Sequence, residues 1–313
     1  MKKNKILVFG SNGLVGKSLI RIMSNSNKVT ELVASNRADT NLFSLEETKK
    51  TIEKVKPNIV INAAAKVGGI YANNTKRSDF IIENLKINLN ILEACIPYED
   101  IQIINLGSSC IYPLNAENPI NENSLLTGKL EPTNSPYAVA KIAAIEIGRS
   151  MSFQHGHNIL NIMPTNLYGP EDNFSENDSH VIPGLISRMH KAKINNEPEF
   201  QIWGSGKPLR EFLYVDDLAN AIEYLINKQI NEDILNVGSS KEISIINLSE
   251  LIKEIIGYPG NLVFNTSMPD GNPRKLIDSS KIIKMGWKPK IKLEEGIKLS
   301  YEWFLKNHSQ IKI

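Results

Sequence analysis

Cysteine is scarce in this chain: Cys95 and Cys110 are the two present in 313 residues. Two thiols in so long a sequence make no disulfide framework, and they read as thiols of a reducing compartment. No apolar stretch approaches membrane-spanning length. The N-terminal Met-Lys-Lys-Asn-Lys runs straight into Ile6-Leu7-Val8-Phe9, too short an apolar run for a signal peptide. A soluble cytoplasmic protein is expected, with no membrane partner. An excess of one charge is missing too: 36 Lys and Arg against 34 Asp and Glu leave a formal net charge of +2. Without a Lys/Arg run there is no phosphate-neutralising surface for nucleic acid, so an anionic ligand should be small and locally held. His155, His157, His190 and His308 show no ligand-like grouping, and no metal site is expected.

What the chain has is core. It is 41% hydrophobic and 22% charged, enough for one large domain or two joined ones. Short apolar runs at 6–9, 29–33, 58–63, 101–106 and 159–163 alternate with amphipathic stretches at 14–23, 45–55, 80–95 and 137–153. That rhythm predicts a doubly wound parallel α/β sheet flanked by helices. After Asn166 it loosens into a segment rich in Asn, Ser, Gly and Pro with a helix near 181–192, which suits a substrate region. A strand and helix over 212–225 are expected to return to the first domain. A helix from 245, a strand at 262–264 and a helix at 293–304 follow. The expected division is 1–166 with 212–240 for a dinucleotide-binding domain, and 167–211 with 241–313 for a smaller α/β substrate-binding domain.

Gly10-Ser11-Asn12-Gly13-Leu14-Val15-Gly16 follows the first strand and opens the first helix. Glycines there let the backbone turn tightly against a pyrophosphate, and helix N-terminal amides hold the anion. Where an NAD-selective site places an acidic residue, at the end of the second strand, the chain reads Ala34-Ser35-Asn36-Arg37. A cation at Arg37 favours a cofactor bearing a 2′-phosphate.

Tyr137 and Lys141 are four apart and share one helical face, and Ser135-Pro136 supplies a cap and first turn. Reducing a ketone by hydride creates an alkoxide, which needs a proton donor; a phenol serves when a lysine cation favours its ionised form. Ser108, just past the strand at 101–106, can hydrogen-bond the same oxygen.

The sequence then resembles a known family over nearly its whole length. The stretches Ala63-Ala64-Ala65-Lys66-Val67-Gly68-Gly69-Ile70, Gly107-Ser108-Ser109-Cys110-Ile111-Tyr112-Pro113, Glu131-Pro132-Thr133-Asn134-Ser135-Pro136-Tyr137-Ala138-Val139-Ala140-Lys141 and Met163-Pro164-Thr165-Asn166-Leu167-Tyr168-Gly169-Pro170 carry the likeness. It continues through Asn177-Asp178-Ser179-His180-Val181-Ile182-Pro183, Trp203-Gly204-Ser205-Gly206, Arg210-Glu211-Phe212 and Pro269-Asp270-Gly271. These are similar to the GDP-L-fucose synthases, GDP-4-keto-6-deoxy-mannose 3,5-epimerase/4-reductases of the extended short-chain dehydrogenase/reductase class.

The resemblance implies a Rossmann fold, NADP(H), a GDP-linked 4-keto sugar as substrate and a homodimer. It implies Gly10, Ser11, Asn12, Gly13, Leu14, Val15, Gly16, Arg37, Asn41, Leu106, Gly107, Lys141, Pro164, Asn166, Leu167 and His180 near the cofactor. Ser108, Tyr137 and Lys141 are the implied reductive set, Cys110 and His180 the groups exchanging protons during epimerisation. Arg188, Trp203, Arg210 and Asp270 are implied to hold the GDP-sugar. One departure is Asn12, where some relatives carry an arginine for the 2′-phosphate, so that the cofactor reading leans on Arg37.

A ketone acidifies the C–H bonds on both flanking carbons, and Cys110 and His180 have the chemistry to invert them. Alone, each would read as a buried small hydrophobe and a satisfied polar residue. Arg188 and Arg210 offer forked donors to a diphosphate, and Trp203 a face to a base or sugar. Alternatives are a reductase acting on a GDP-4-keto-heptose of a surface polysaccharide, a UDP-hexose 4-epimerase, and a noncatalytic NADP-binding regulator. The contexts of Cys110 and His180 argue against the second and the intact Ser108, Tyr137 and Lys141 against the third.

Arg37→Ala is expected to weaken NADPH binding far more than NADH binding, because only NADPH presents the extra phosphate. Titrating both cofactors checks it; equal losses would mean a general defect of the pocket.

Overall fold

The computed structural model describes residues 3–175, 178–268 and 270–307. Asn177, Pro269 and His308 lie outside the described residues. The first half runs β1 (Asn4–Phe9), α1 (Leu14–Met23), β2 (Val29–Ser35), α2 (Leu45–Val55), β3 (Ile59–Asn62), α3 (Ile70–Thr75), α4 (Arg77–Cys95), β4 (Gln102–Leu106), α5 (Ser135–His155) and β5 (Ile159–Pro164). Then come β6 (Asn166–Tyr168), α6 (Val181–Ile194), β7 (Glu199–Trp203), β8 (Leu209–Tyr214), α7 (Val215–Leu225) and β9 (Ile234–Val237). The chain closes with β10 (Glu242–Ser244), α8 (Ile245–Ile256), β11 (Asn261–Asn265), β12 (Arg274–Lys275), α9 (Ser280–Lys284) and α10 (Leu293–Asn307).

Six parallel strands make the main sheet in the order β2-β1-β3-β4-β5-β9. Every residue of β3, β5 and β9 is buried, as strands covered by helices on both faces require. The edge strand β2 is largely open to solvent. From β1 the chain passes to β2 on one side and then back across β1 to β3 on the other. The connections at the carboxyl ends of β1 and β3 therefore diverge, opening the crevice in which doubly wound sheets bind ligands. Behind it the sheet carries a buried amide chain. Asn62 Nδ2 donates to Asn88 Oδ1 on α4 and to Asn105 Oδ1, both at 2.9 Å, and Asn105 Nδ2 donates to Asn161 Oδ1 at 3.0 Å. The amides of this chain thus satisfy one another inside the core.

The second layer is built on β8, which pairs with β6 and β12 in parallel and β10 antiparallel, while β7 and β11 form a separate pair. The strand expected near 212 to rejoin the first domain thus belongs to this second sheet. It is α7 that packs on α1, through Ser18 and Arg21 to Asp216, and β9 that adds to the main sheet. The amphipathic signal of 212–225 reports burial and not which sheet receives the strand. A separate core of Tyr168, Phe174, Ile186, Phe212, Leu248 and Phe304 fills this layer.

Glu211 joins the two layers. It is fully buried on β8; its carboxylate accepts the Ser240 N–H at 2.7 Å and the Ile277 N–H at 3.1 Å, and its carbonyl accepts Asn166 Nδ2 at 2.8 Å. Burial pushes the Glu211 carboxyl upward, and the backbone donors pull it back.

At the start of α1, a Cβ on Gly16 would lie 2.1 Å from the Gly10 carbonyl oxygen, which leaves no room for any side chain. Gly156 has a positive φ of 74° and open space around it. Gly16→Ala is therefore expected to lose about 3 kcal/mol of unfolding free energy, against about 1 kcal/mol for Gly156→Ala. Urea unfolding of the two variants checks the order; equal losses would remove the packing argument.

Candidate active site

The glycine turn forms as its sequence requires. Gly10 has φ 80°, and a Cβ there would come within 2.6 Å of the Ala64 backbone, so the ends of β1 and β3 approach as only glycine permits. The Gly10 and Ser11 amides bond Ser35 O at 2.9 and 3.1 Å. Gly13 caps α1 without a side-chain bond, and the first turn, starting with Leu14 and Val15, has no acidic residue. The amides of that turn therefore have no acidic neighbour within the turn itself, which fits a pyrophosphate. The exposed Asn12 lies in the turn.

Past β2, the Arg37 guanidinium is 5.8 Å from the Phe43 ring. Asn41 shapes this loop, accepting the Phe43 N–H on Oδ1 at 3.1 Å and donating its own N–H to Glu47 Oε2 at 3.1 Å. Lys86 on α4 stands 6.0 Å from the same ring. This second cation was not visible in the sequence, because it comes from a helix 49 residues away from Arg37.

At the end of β4 the Gly107 amide bonds Ile162 O at 2.8 Å, and Ser108 turns the chain into a 3-10 turn over Ser109–Ile111, accepting the Cys110 N–H on Oγ at 3.2 Å. Tyr137 and Lys141 project from α5 on one face, with the ammonium 5.8 Å from the phenol ring. Lys141 is buried and donates to Leu106 O at 2.7 Å. Burial brings its pKa down to about 8. Burial also pushes the Tyr137 phenol upward, as does charge at Cys110, while its hydrogen bond with Ser108 pulls the other way. At neutral pH the phenol therefore holds its proton beside a serine hydroxyl.

The cap of α5 differs from expectation. Asn134, and not Ser135, is the N-cap, with Pro136 in the first turn. Its side chain caps nothing; Nδ2 donates to Cys110 Sγ at 3.5 Å, and its buried Oδ1 has no partner among the described residues. Lys275 Nζ, from β12, is also 3.5 Å from that sulfur. Two donors thus converge on the Cys110 sulfur. Neither was singled out in the sequence: Asn134 is one residue within the stretch 131–141, and Lys275 lies 165 residues downstream of the cysteine.

His180 is the N-cap of α6, without a side-chain capping bond and 44% exposed. No hydrogen bond or ion pair joins it to Cys110 or Tyr137 among the described residues. Asn166 sits at the start of β6 with its amide on Glu211 O, next to Pro164 at the end of β5 and Leu167 in β6. In the second layer Arg188 stacks 5.5 Å from the half-exposed Trp203 ring and 5.3 Å from Phe200. Asp270 accepts Ser205 N and Oγ at 2.6 and 2.8 Å, and these bonds lower its pKa. Arg210 lies in its field, with burial lowering its own pKa. Arg210 is the register partner of Lys275 across β8 and β12, so the segment bearing Asp270 and Lys275 spans from the arginine to the cysteine. No cluster of metal-ligating side chains occurs among the described residues.

Residues 6–238 match the NAD dependent epimerase/dehydratase family. GDP-L-fucose synthase 1 of Arabidopsis thaliana is 46% identical, over 98% of this chain and 94% of its own length. A GDP-L-fucose synthetase from Naegleria fowleri, solved bound to NADP, superposes with a TM-score of 0.91 at 32% identity, covering 100% of this chain and 96% of that one. A GDP-6-OMe-4-keto-L-xylo-heptose reductase from C. jejuni superposes with a TM-score of 0.90 at 32% identity, over 98% and 99% of the two chains.

The chain belongs to the NAD dependent epimerase/dehydratase family, in the branch of the GDP-L-fucose synthases. For a member of this family, the buried Lys141 is a liability to folding. Its pKa is about 8 in the fold against 10.5 free, so below pH 8 the fold carries the full penalty of a buried cation. The penalty fades as pH rises from 8 toward 10.5, where the folded lysine has lost its proton. Lys141→Met is accordingly expected to stabilise the protein by about 1 to 3 kcal/mol near pH 7, with the gain shrinking toward pH 10. Thermal unfolding of both proteins at the two pH values checks it; a less stable Met variant at pH 7 would show that the bond to Leu106 O outweighs the burial.

Proposed function

We propose that the protein uses NADPH to reduce the C4 ketone of a GDP-linked 4-keto-6-deoxy sugar, after inverting C3 and C5 in the same pocket. The observation that carries this reading is the convergence of two proton-transfer sets on one turn: Ser108 with Tyr137 and Lys141, and Cys110 with Asn134 and Lys275. The glycine turn fits a dinucleotide pyrophosphate, and Arg37 with Lys86 suits a 2′-phosphate. The bound cofactor supplies hydride to C4. Tyr137 gives its proton to the C4 oxygen, Ser108 hydrogen-bonds that oxygen, and Lys141 places positive charge beside the phenol as it ionises.

Inversion needs a base on one face of the sugar and an acid on the other. Cys110 serves as the base, with Lys275 and Asn134 donating to its sulfur, and His180 as the acid. Arg188, Trp203, Arg210 and Asp270 hold the GDP moiety and sugar. The assembly is a homodimer in the cytoplasm. Ile82 and Leu89 on α4, and Val139 and Phe153 on α5, leave apolar surface outside at spacings that place each pair on one helical stripe. The second reading, a reductase without epimerase activity acting on a GDP-4-keto-heptose, is favoured by the likeness to the C. jejuni reductase.

Deuterium separates the two. In deuterated water with GDP-4-keto-6-deoxy-mannose and NADP⁺, the protein is expected to place deuterium at C3 or C5 without reduction. Cys110→Ser is expected to abolish exchange and leave reduction of a pre-epimerised ketone largely intact. Tyr137→Phe is expected to slow reduction by roughly two to four orders of magnitude and to keep exchange. Efficient reduction with no exchange by the unmodified protein would replace the first reading with the second.

A further inference from the structure

Asp172 has no part in the chemistry described so far, yet its side chain is 5% exposed and faces His180. Its Oδ1 accepts the Asn173 N–H at 2.7 Å and lies 4.0 Å from His180 Nδ1. Its Oδ2 is buried with no hydrogen-bond partner among the described residues. A buried carboxylate oxygen lacking a donor forfeits its hydration without recompense, which a fold sustains where the group has other work.

The backbone of His180 is fixed from the opposite side. Gly69 N–H donates to Asp178 O at 3.1 Å, and a Cβ on Gly69 would lie 2.5 Å from Ser179 O, so the Asp178–Ser179 strap lies directly on that glycine. Lys76 Nζ is 3.3 Å from Asp178 Oδ2, and His180 O accepts the Gly184 N–H at 3.0 Å to start α6. The imidazole therefore extends from an anchored strap, with Nδ1 toward a carboxylate and the ring open to solvent.

We propose that Asp172 is a positioning residue for His180 in epimerisation, holding Nδ1–H so that Nε2 presents the transferable proton to the sugar face opposite Cys110. This rests on the epimerase reading above. In the step, the Cys110 thiolate takes the proton from the carbon beside the ketone, forming S–H. The C–H electron pair moves into an enolate on the C4 oxygen. The enolate collapses as the His180 imidazolium gives its Nε2 proton to the same carbon from the other face, leaving neutral imidazole with Nδ1–H on Asp172.

The consequence separates inversion from exchange. Without a functioning acid opposite, the enolate is reprotonated on the face it was formed from, so deuterium enters without inversion. In deuterated water with GDP-4-keto-6-deoxy-mannose and NADP⁺, NMR reads deuterium entry and configuration at C3 and C5 together. Asp172→Asn is expected to lower the ratio of inversion to exchange by roughly tenfold or more, leaving exchange with retention and the reduction of a pre-epimerised ketone within about twofold. Asp172→Glu, which keeps the charge on a longer arm, is expected to fall between Asn and the unmodified protein. Should the Asn variant not fold, the Glu variant takes its place, and an unchanged ratio in it overturns the proposal. An unchanged ratio in the Asn variant overturns it as well, as does a parallel loss of inversion, exchange and reduction, which would mark Asp172 as purely structural. If the unmodified protein exchanges without ever inverting, the epimerase reading fails and the role of Asp172 falls with it; inversion by the unmodified protein and by the Asn variant alike removes only the role of Asp172.

Discussion

The bond from the Lys141 ammonium to the Leu106 carbonyl is the constraint on which the site is built. A cation in a buried position favours any arrangement that gives its protons an acceptor, and here the acceptor is the last carbonyl of β4. The bond fixes α5 against the strand end from which Ser108 and Cys110 emerge, so that one helix face and one turn share a small volume. Tyr137 is set by the same helix one turn earlier, with Phe80 of α4 meeting its ring edge-on at 6.3 Å. Burial raises the phenol and lowers the ammonium, and in the proposed reduction the two shifts would let the phenol keep its proton until negative charge develops next to it, with the lysine supplying the field in which it leaves.

Around that bond the two layers contribute unlike parts. The main sheet gives the crevice at the carboxyl ends of β1 and β3, a property of strand order that exists before any particular ligand is considered. The second sheet brings distant segments to the crevice mouth. Glu211 is the physical link, since one fully buried carboxylate accepts amides from the stretch after β9 and the stretch after β12, while the carbonyl of the same residue holds Asn166. Through this link Lys275 reaches Cys110, and a lysine beyond residue 270 becomes part of a site centred near residue 110. The Glu211 carboxylate is thus satisfied by backbone donors.

Much of this was legible in the sequence. The helices over 14–23 and 45–55 match α1 and α2 because their apolar spacing and flanking turns agree, and the sheet strands read as apolar runs because both faces are covered. Ser108, Tyr137 and Lys141 were legible for a local reason as well: a strand end and a helical i, i+4 pair each imply a direction for the side chain. What could not be read was pairing at long range. β9 is only four residues, three of them apolar, β8 carries the same pattern whichever sheet receives it, and Asn134 shows no sign that its amide serves a sulfur in place of the helix end.

The sequence by itself thus determined the elements, the glycine turn that admits a dinucleotide, and the chemical types available for proton transfer, because these depend on residues close together in the chain, whose geometry follows from helix and strand periodicity. Only the tertiary structure decided which charges meet. Lys275 at Cys110, and Lys86 and Arg37 at the one Phe43 ring, are contacts between separate segments, and their presence depends on strand order and on the packing of elements against one another. No local pattern encodes a distance across a fold; it is set when burial of the two cores and satisfaction of buried donors and acceptors leave a single arrangement of those segments.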